Sequence, residues 1–328
     1  MISLFTHRAG LLRRLLLLLL LAPAMGCGGG SAAPSLRPAD GSFAVGTTNF
    51  TFVDTSRPTA ENKGAPAKDS RTLRTAVFYP IEGPIGNPAR SGAPPIAGRR
   101  FPLIVFAHGL TAIARIYTVI LQAWAEAGYV VAAPDFPLSS GTAPGGANKD
   151  DVVNQPADES FVIDQMLLLD GDPASLLHGA IDRDRIGASG QSLGGMTTFG
   201  VAFNTCCRDP RIDAAVPLAG SLILFPAGEY DPDIGPPVLI VHGDADESVP
   251  YESATEAYAL LLAPKFLLTH LGGRHVPPYV GSRDAPPVAA TIDASIAFFD
   301  LFLKHERDAL ERLIAVGQRA AVTLQYDL

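Results

Sequence analysis

What the sequence lacks narrows it first. Three cysteines in 328 residues, with no Cys-x-x-Cys pair, leave no disulfide framework of the kind that staples small scaffolds. The seven histidines do not cluster at metal-ligand spacing, so no metal site and no cofactor are expected. Charge is scarce at 18% against 47% hydrophobic residues, a balance that excludes disorder and supplies a large buried core. No internal repeat and no block of like charge is present. A basic excess is missing as well. The net charge is −8, and without the first 26 residues, which carry Arg8, Arg13 and Arg14 and no acid, 22 Lys+Arg stand against 33 Asp+Glu, a net of −11. A body that acidic argues against nucleic acid and against an anionic membrane surface as partners.

The N-terminus, "MISLFTHRAGLLRRLLLLLLLAPAMGC", has a basic start, an apolar run from Leu15 to Ala22 and then small residues. The run is too short to span a bilayer and has the build of a secretory signal over residues 1–26. Ala22-Pro23-Ala24 offers an A-x-A cleavage site for release. Ala24-Met25-Gly26-Cys27 instead resembles the box before the lipid-modified cysteine of bacterial lipoproteins, and Cys27 is the lipidation candidate. The "GGGSAAPSLRP" stretch within residues 27–41 reads as a flexible tether, which an anchored protein needs. The expected location is therefore the bacterial cell envelope or the medium, with membrane contact only through such an anchor. Cys206 and Cys207 are adjacent, so they form either a vicinal bridge or buried free thiols.

From Ser42 the chain alternates strands with helices. "SFAVGTTNFTFVD" and "RTLRTAVFYPI" read as an antiparallel pair at a sheet edge. "FPLIVFAHG" is a continuous apolar run, as in a strand buried on both faces. "AIARIYTVILQAWAEAG" has helical spacing and ends at Gly128, a C-cap. "YVVAAPDF", "RIGASG", "IDAAVPLAG", "PPVLIVHGD" and "KFLLTHL" are further strands, with helices at "ADESFVIDQMLLL", after Ser192 and at "YESATEAYALLL". "TIDASIAFFDLFLKHERDALERL" reads as one long closing helix. This order predicts an α/β fold, a mostly parallel central sheet covered by helices on both faces. The body spans residues 42–305, and residues 306–328 form a tail that serves as a terminal edge strand or a packing segment.

Chemistry concentrates at Gly190-Gln191-Ser192-Leu193-Gly194, between a short strand and a helix. A serine on so tight a turn is forced into a strained backbone conformation, and the flanking glycines let neighbouring chain pass close by. Its Oγ then projects above the sheet edge, over a helix N-terminus that favours developing negative charge. Such a nucleophile needs a base, an orienting carboxylate and donors for an oxyanion, the partners following in the order acid, base. His275, in "LGGRHVPP", follows the last strand in a glycine-rich loop and is the candidate base. "HGDADESVP" offers Asp244 and Asp246. Asp246 lies deeper in the loop and can reach the histidine, whereas Asp244 is placed to tie down the turn. The oxyanion donors are the backbone N–H groups of Leu193 and of Leu110, with Thr111 as the alternative to Leu110.

Together "FAHGLTAIARIYTVILQAWAEAGYVVAAPDFP", "ASGQSLGG", "HGDADESVP" and "GGRHVPP" resemble the α/β-hydrolase superfamily. Within it they resemble the branch of plasma-type platelet-activating-factor acetylhydrolases, bacterial dienelactone-hydrolase-like proteins and polyester hydrolases. "DTSR" and "RTAVFYP" are similar to the lead-in of the acetylhydrolase type. The resemblance implies a serine hydrolase acting on small-molecule or polymeric carboxylic esters.

Two loops are expected to overhang the site. Residues 137–156 are glycine-rich and polar, either a plain surface loop or a substrate contact. In "GSLILFPAGEYDPDIGPP", Leu222 and Phe225 are candidates for an acyl wall or for core packing. No inserted lid is evident, which points to short-chain or extended esters. A serine peptidase, an acyltransferase and a non-catalytic lipoprotein binding domain use the same fold and stay open at this point, as does the oligomeric state. A cysteine hydrolase based on Cys206 or Cys207 fails on placement, both lying past the elbow helix. Trp124 is read as packing.

Overall fold

The computed structural model describes residues 42–85 and 88–328, so the signal segment, Cys27 and the tether to residue 41 lie outside the described residues. Strands β1 (Ala44–Asp54) and β2 (Arg71–Ile81) pair antiparallel from Ala44↔Ile81 to Asp54↔Arg71, as the alternating pattern of both segments requires. A two-residue strand, β3 (Arg90–Ser91), flanks β1. Six strands then run parallel: β4 (Phe101–Ala107), β5 (Val130–Asp135), β6 (Ile181–Gln191), β7 (Ile212–Leu218), β8 (Val238–Gly243) and β9 (Lys265–His270). β10 (Val322–Asp327) closes the other edge, antiparallel to β9. The order across the sheet is β10-β9-β8-β7-β6-β4-β5-β2-β1-β3.

The crossovers carry α1 (Thr118–Glu126), α2 (Gln155–Gly171), α3 (Leu193–Phe203), α4 (Glu252–Leu260) and α5 (Pro286–Phe302), and α6 (Ala309–Val316) follows α5. Strand periodicity sorts the apolar run of β4 onto both faces. Ile104 and Phe106 join the layer that holds Trp124, Phe298 and Phe299, while Leu103 and Val105 join the layer that holds Met166, Phe199 and Phe203. Trp124 is fully buried and its indole N–H donates to Ser295 Oγ at 2.8 Å, a packing role as expected.

One expectation is corrected. The closing helix is two helices. α5 ends at Phe302 and the chain turns through His305, whose φ is +56°. The cause is Asp300, fully buried, which accepts from Lys304 Nζ at 2.9 Å and from Arg312 Nη1 at 2.9 Å. A buried carboxylate has to be paired, and bending the chain brings the second cation to it. In residues 306–328, read above as an edge strand or a packing segment, α6 packs on the core through Leu313 and Val316, and β10 pairs with all of β9. Of the two alternatives for Cys206 and Cys207 the vicinal bridge is the one formed, and both residues are partly exposed.

The "DTSR" segment has a structural task. Arg57 bonds Asp54 at 2.7 Å and Asp158 at 2.8 Å, and the buried Arg71 bonds both Asp158 and Asp151. This network fastens the edge hairpin to the start of α2, and with it the end of the 137–156 loop.

Candidate active site

Parallel strands deliver their carboxyl ends to one edge of the sheet, and the pairings Ala107↔Gly190, Gly190↔Pro217 and Gly243↔His270 put the ends of neighbouring strands level. Ser192 follows β6, Asp246 follows β8, His275 follows β9, and the Gly109–Thr111 turn follows β4. The fold brings these four segments together.

At the elbow Ser192 has φ +57° and ψ −117°, a backbone region that costs a non-glycine residue about 1–3 kcal/mol. The glycines are required by contact. A Cβ on Gly190 would stand 2.4 Å from Gly194 O, and one on Gly194 would stand 2.0 Å from Ala107 O. Ser192 N–H donates to Leu218 O at 2.8 Å, which ties the strained turn to β7.

His275 Nε2 lies 2.8 Å from Ser192 Oγ, and His275 Nδ1 lies 2.7 Å from Asp246 Oδ2. Asp246 is buried. Its Oδ1 accepts the N–H groups of Ser248 at 2.8 Å and Val249 at 2.9 Å, which leaves Oδ2 to the histidine. That arrangement puts the imidazole hydrogen on Nδ1 and turns the Nε2 lone pair toward the serine hydroxyl. Asp244, the other aspartate of the loop, serves the same assembly differently. Its Oδ1 accepts Gly272 N–H at 2.6 Å, so it ties the base loop to β8 and not its own turn.

The candidate oxyanion donors Leu110, Leu193 and Thr111 differ in whether their N–H groups are already engaged. Thr111 N–H donates to Ser139 O at 2.9 Å and is spent. Leu110 and Leu193 N–H groups have no acceptor among the described residues, and Leu193 is the first residue of α3, where helical N–H groups are free and the dipole is positive. Leu110 N–H shares a rigid peptide plane with Gly109 C=O, and that carbonyl is held by Ala112 N–H at 3.1 Å and His108 Nδ1 at 2.8 Å. His108 is fully buried, accepts Phe136 N–H on Nε2 at 3.0 Å, and is kept neutral by burial, which pushes its pKa below the usual value. Its proton is therefore committed to Gly109.

The flanking loops differ in what they do. Residues 137–147 are fastened to the oxyanion turn, with Gly141 N–H on Ala112 O at 3.0 Å, and clasped from outside by Asn62, whose Nδ2 donates to Pro144 O and Gly146 O at 2.7 Å. Of the two readings of Leu222 and Phe225, acyl wall or core packing, both side chains stand in packing positions. Phe225 is 4% exposed and its ring covers Gly200 on α3, about two helical turns past Ser192. Leu222 packs against the core layer under α3, and Leu224 points to solvent.

Sequence reasoning missed three polar residues that line these segments. Gln191 and Tyr117 join the oxyanion turn to the base loop, and His242 Nε2 stands 3.3 Å from Asp246 Oδ2. The only signal for Gln191 was its position inside the elbow pentapeptide.

With the geometry in place, similarity to known proteins can be stated. The profile of the family described as platelet-activating factor acetylhydrolase, isoform II, matches residues 63–167, about a third of the chain. That stretch runs from the edge hairpin through the oxyanion turn into α2 and stops before Ser192. No curated protein sequence matches the chain. Among solved structures, a ferulic acid esterase from Streptomyces cinnamoneus superposes with a TM-score of 0.65 at 24% identity, covering 90% of this chain and 98% of the esterase. The fold is that of an α/β-hydrolase.

Proposed function

We propose that the protein hydrolyses carboxylic esters through an acyl-enzyme on Ser192. The observation that carries this is the unbroken pair of contacts from Ser192 Oγ to His275 Nε2 and from His275 Nδ1 to Asp246 Oδ2, at 2.8 and 2.7 Å. Ester chemistry is supported by both comparisons, each of which falls on an ester hydrolase.

In the reaction, His275 Nε2 takes the Ser192 proton as Oγ adds to the ester carbonyl. The buried Asp246 carboxylate stabilises the imidazolium that forms and keeps its orientation. Negative charge on the former carbonyl oxygen is met by Leu110 and Leu193 N–H and by the positive end of α3. His275 then gives its proton to the departing alkoxide, and water, deprotonated by the same nitrogen, releases the acid and restores Ser192. The loop from β7 to β8 contains no α-helix that could serve as a lid, which suits short-chain or extended esters.

Hydrolysis of p-nitrophenyl esters from acetate to decanoate, compared with Ser192→Ala, tests the reading. Turnover by the parent that vanishes in Ser192→Ala is expected, and a folded parent inert on every ester overturns it. We place the enzyme in the cell envelope on its first 27 residues alone. Incorporation of an alkyne-tagged fatty acid that Cys27→Ala abolishes is the expected result, and release of unlabelled protein into the medium opposes lipidation.

A further inference from the structure

Gln191, the residue before the nucleophile, is 4% exposed and both ends of its amide are engaged. Oε1 accepts the Tyr117 hydroxyl at 2.8 Å, and Nε2 donates to the backbone carbonyl of His275 at 3.0 Å. Tyr117, 2% exposed, in turn accepts Gly109 N–H at 3.2 Å. Burial pushes the Tyr117 hydroxyl up to about 12, so it keeps its proton at neutral pH. With its lone pair given to Gly109, that proton goes to Gln191 Oε1, and this fixes which way round the amide lies. A single relay therefore runs from Gly109 N–H through Tyr117 and Gln191 to His275 C=O. One end is the residue before the oxyanion donor Leu110, and the other is the main chain of the base.

We propose that Gln191 is a positioning residue that holds the base loop and the oxyanion turn in register with each other. This deepens the esterase reading and rests on it for the chemistry affected. The relay passes directly beside the elbow, and a Cβ on Gly109 would stand 2.9 Å from Gln191 Oε1, so the contact tolerates no insertion. Displacing a reacting group by an ångström is worth orders of magnitude in rate, and here one side chain governs two such groups.

The test uses the full chain with Gln191→Glu, Gln191→Met and Tyr117→Phe. Glu keeps the shape and the acceptor for Tyr117 but sets an acceptor against His275 C=O. Met removes both bonds, and Phe removes only the middle link. The expected results are a loss in kcat of about 30-fold for Gln191→Glu and about tenfold for Tyr117→Phe, with KM little changed and the double variant less impaired than the product of the singles. A purely structural role would lower Tm and leave kcat of the folded enzyme unchanged.

A second readout needs no substrate. The His275 Nδ1 proton, assigned by its absence in His275→Ala, is expected to shift in the low-field proton NMR spectrum of Gln191→Glu while amide dispersion is retained. The same signal position together with the same kcat, in variants that fold, overturns the proposal. A shifted signal in a protein whose parent hydrolyses no ester would instead leave the relay standing and remove the esterase reading.

Discussion

His242 Nε2 stands 3.3 Å from Asp246 Oδ2, both side chains fully buried. The same nitrogen lies 2.9 Å from Val249 O, so it carries a hydrogen shared between the carbonyl and the carboxylate. Burial lowers the His242 pKa, so the ring meets Asp246 as a neutral dipole. It also holds the carbonyl of Val249, the residue whose own N–H binds Asp246 Oδ1. His242→Phe leaves a buried carbonyl without its donor, a loss of about 1–3 kcal/mol. We expect kcat/KM to fall about tenfold alongside a lower Tm. An unchanged kcat/KM in the folded variant would separate His242 from the acid's function.

Strain at Ser192 predicts a trade between stability and activity. Ser192 holds φ at +57°, which glycine adopts without steric cost. Ser192→Gly is expected to raise the unfolding free energy by about 1 kcal/mol while abolishing turnover, with Ser192→Ala gaining less. Urea denaturation of the three proteins decides it, and a Ser192→Gly less stable than the parent contradicts the strained elbow.

Arg71 predicts the largest structural loss. Its side chain is 1% exposed between Asp151 and Asp158, at 2% and 0%. Arg71→Met leaves the buried Asp151 without a counter-charge and Asp158 with Arg57 alone, a cost of about 3–5 kcal/mol. Arg74→Met, three residues along and exposed, serves as the control and is expected to change stability by less than about 0.5 kcal/mol. Equal effects would mean that the buried network does not anchor the hairpin.

His270 gives a pH dependence with a definite sign. Burial lowers its pKa from 6.5 to about 4, so the folded protein holds it neutral. The unfolded chain binds the proton first as pH falls. Stability from this residue is therefore complete above pH 6.5, lost as the pH drops, and exhausted below about 4, with about 2 kcal/mol lost between pH 8 and pH 5. His270→Gln cannot titrate, and its stability should fall by that much less over the same interval. Parallel pH profiles for the two proteins would show that His270 is not the cause.

Much of this site was legible because backbone sterics leave few alternatives. Gly190 and Gly194 announce a turn that packs backbone on backbone, and the order of strand ends leaves His275 as the histidine past the final parallel strand. Asp246 could be separated from Asp244 by its depth in the loop alone. The relay was not legible, since Gln191 meets partners 74 and 84 residues away and spacing carries no trace of such contacts. The break after α5 was hidden for a related reason. "FLKHERDALERL" keeps helical periodicity, and only the burial of Asp300 shows that the chain must turn back to supply Arg312. Phe225 stayed open between two readings, because an apolar loop residue suits a pocket wall and core packing alike until Gly200 is seen beneath it.

The most direct test of the central claim is intact-protein and peptide mass analysis of the enzyme acid-quenched during turnover of p-nitrophenyl acetate. The structure predicts one acetyl group, on Ser192, that does not accumulate in Asp246→Asn or in His275→Ala. Turnover with no acyl group on Ser192, or an acyl group carried by another residue, would contradict it.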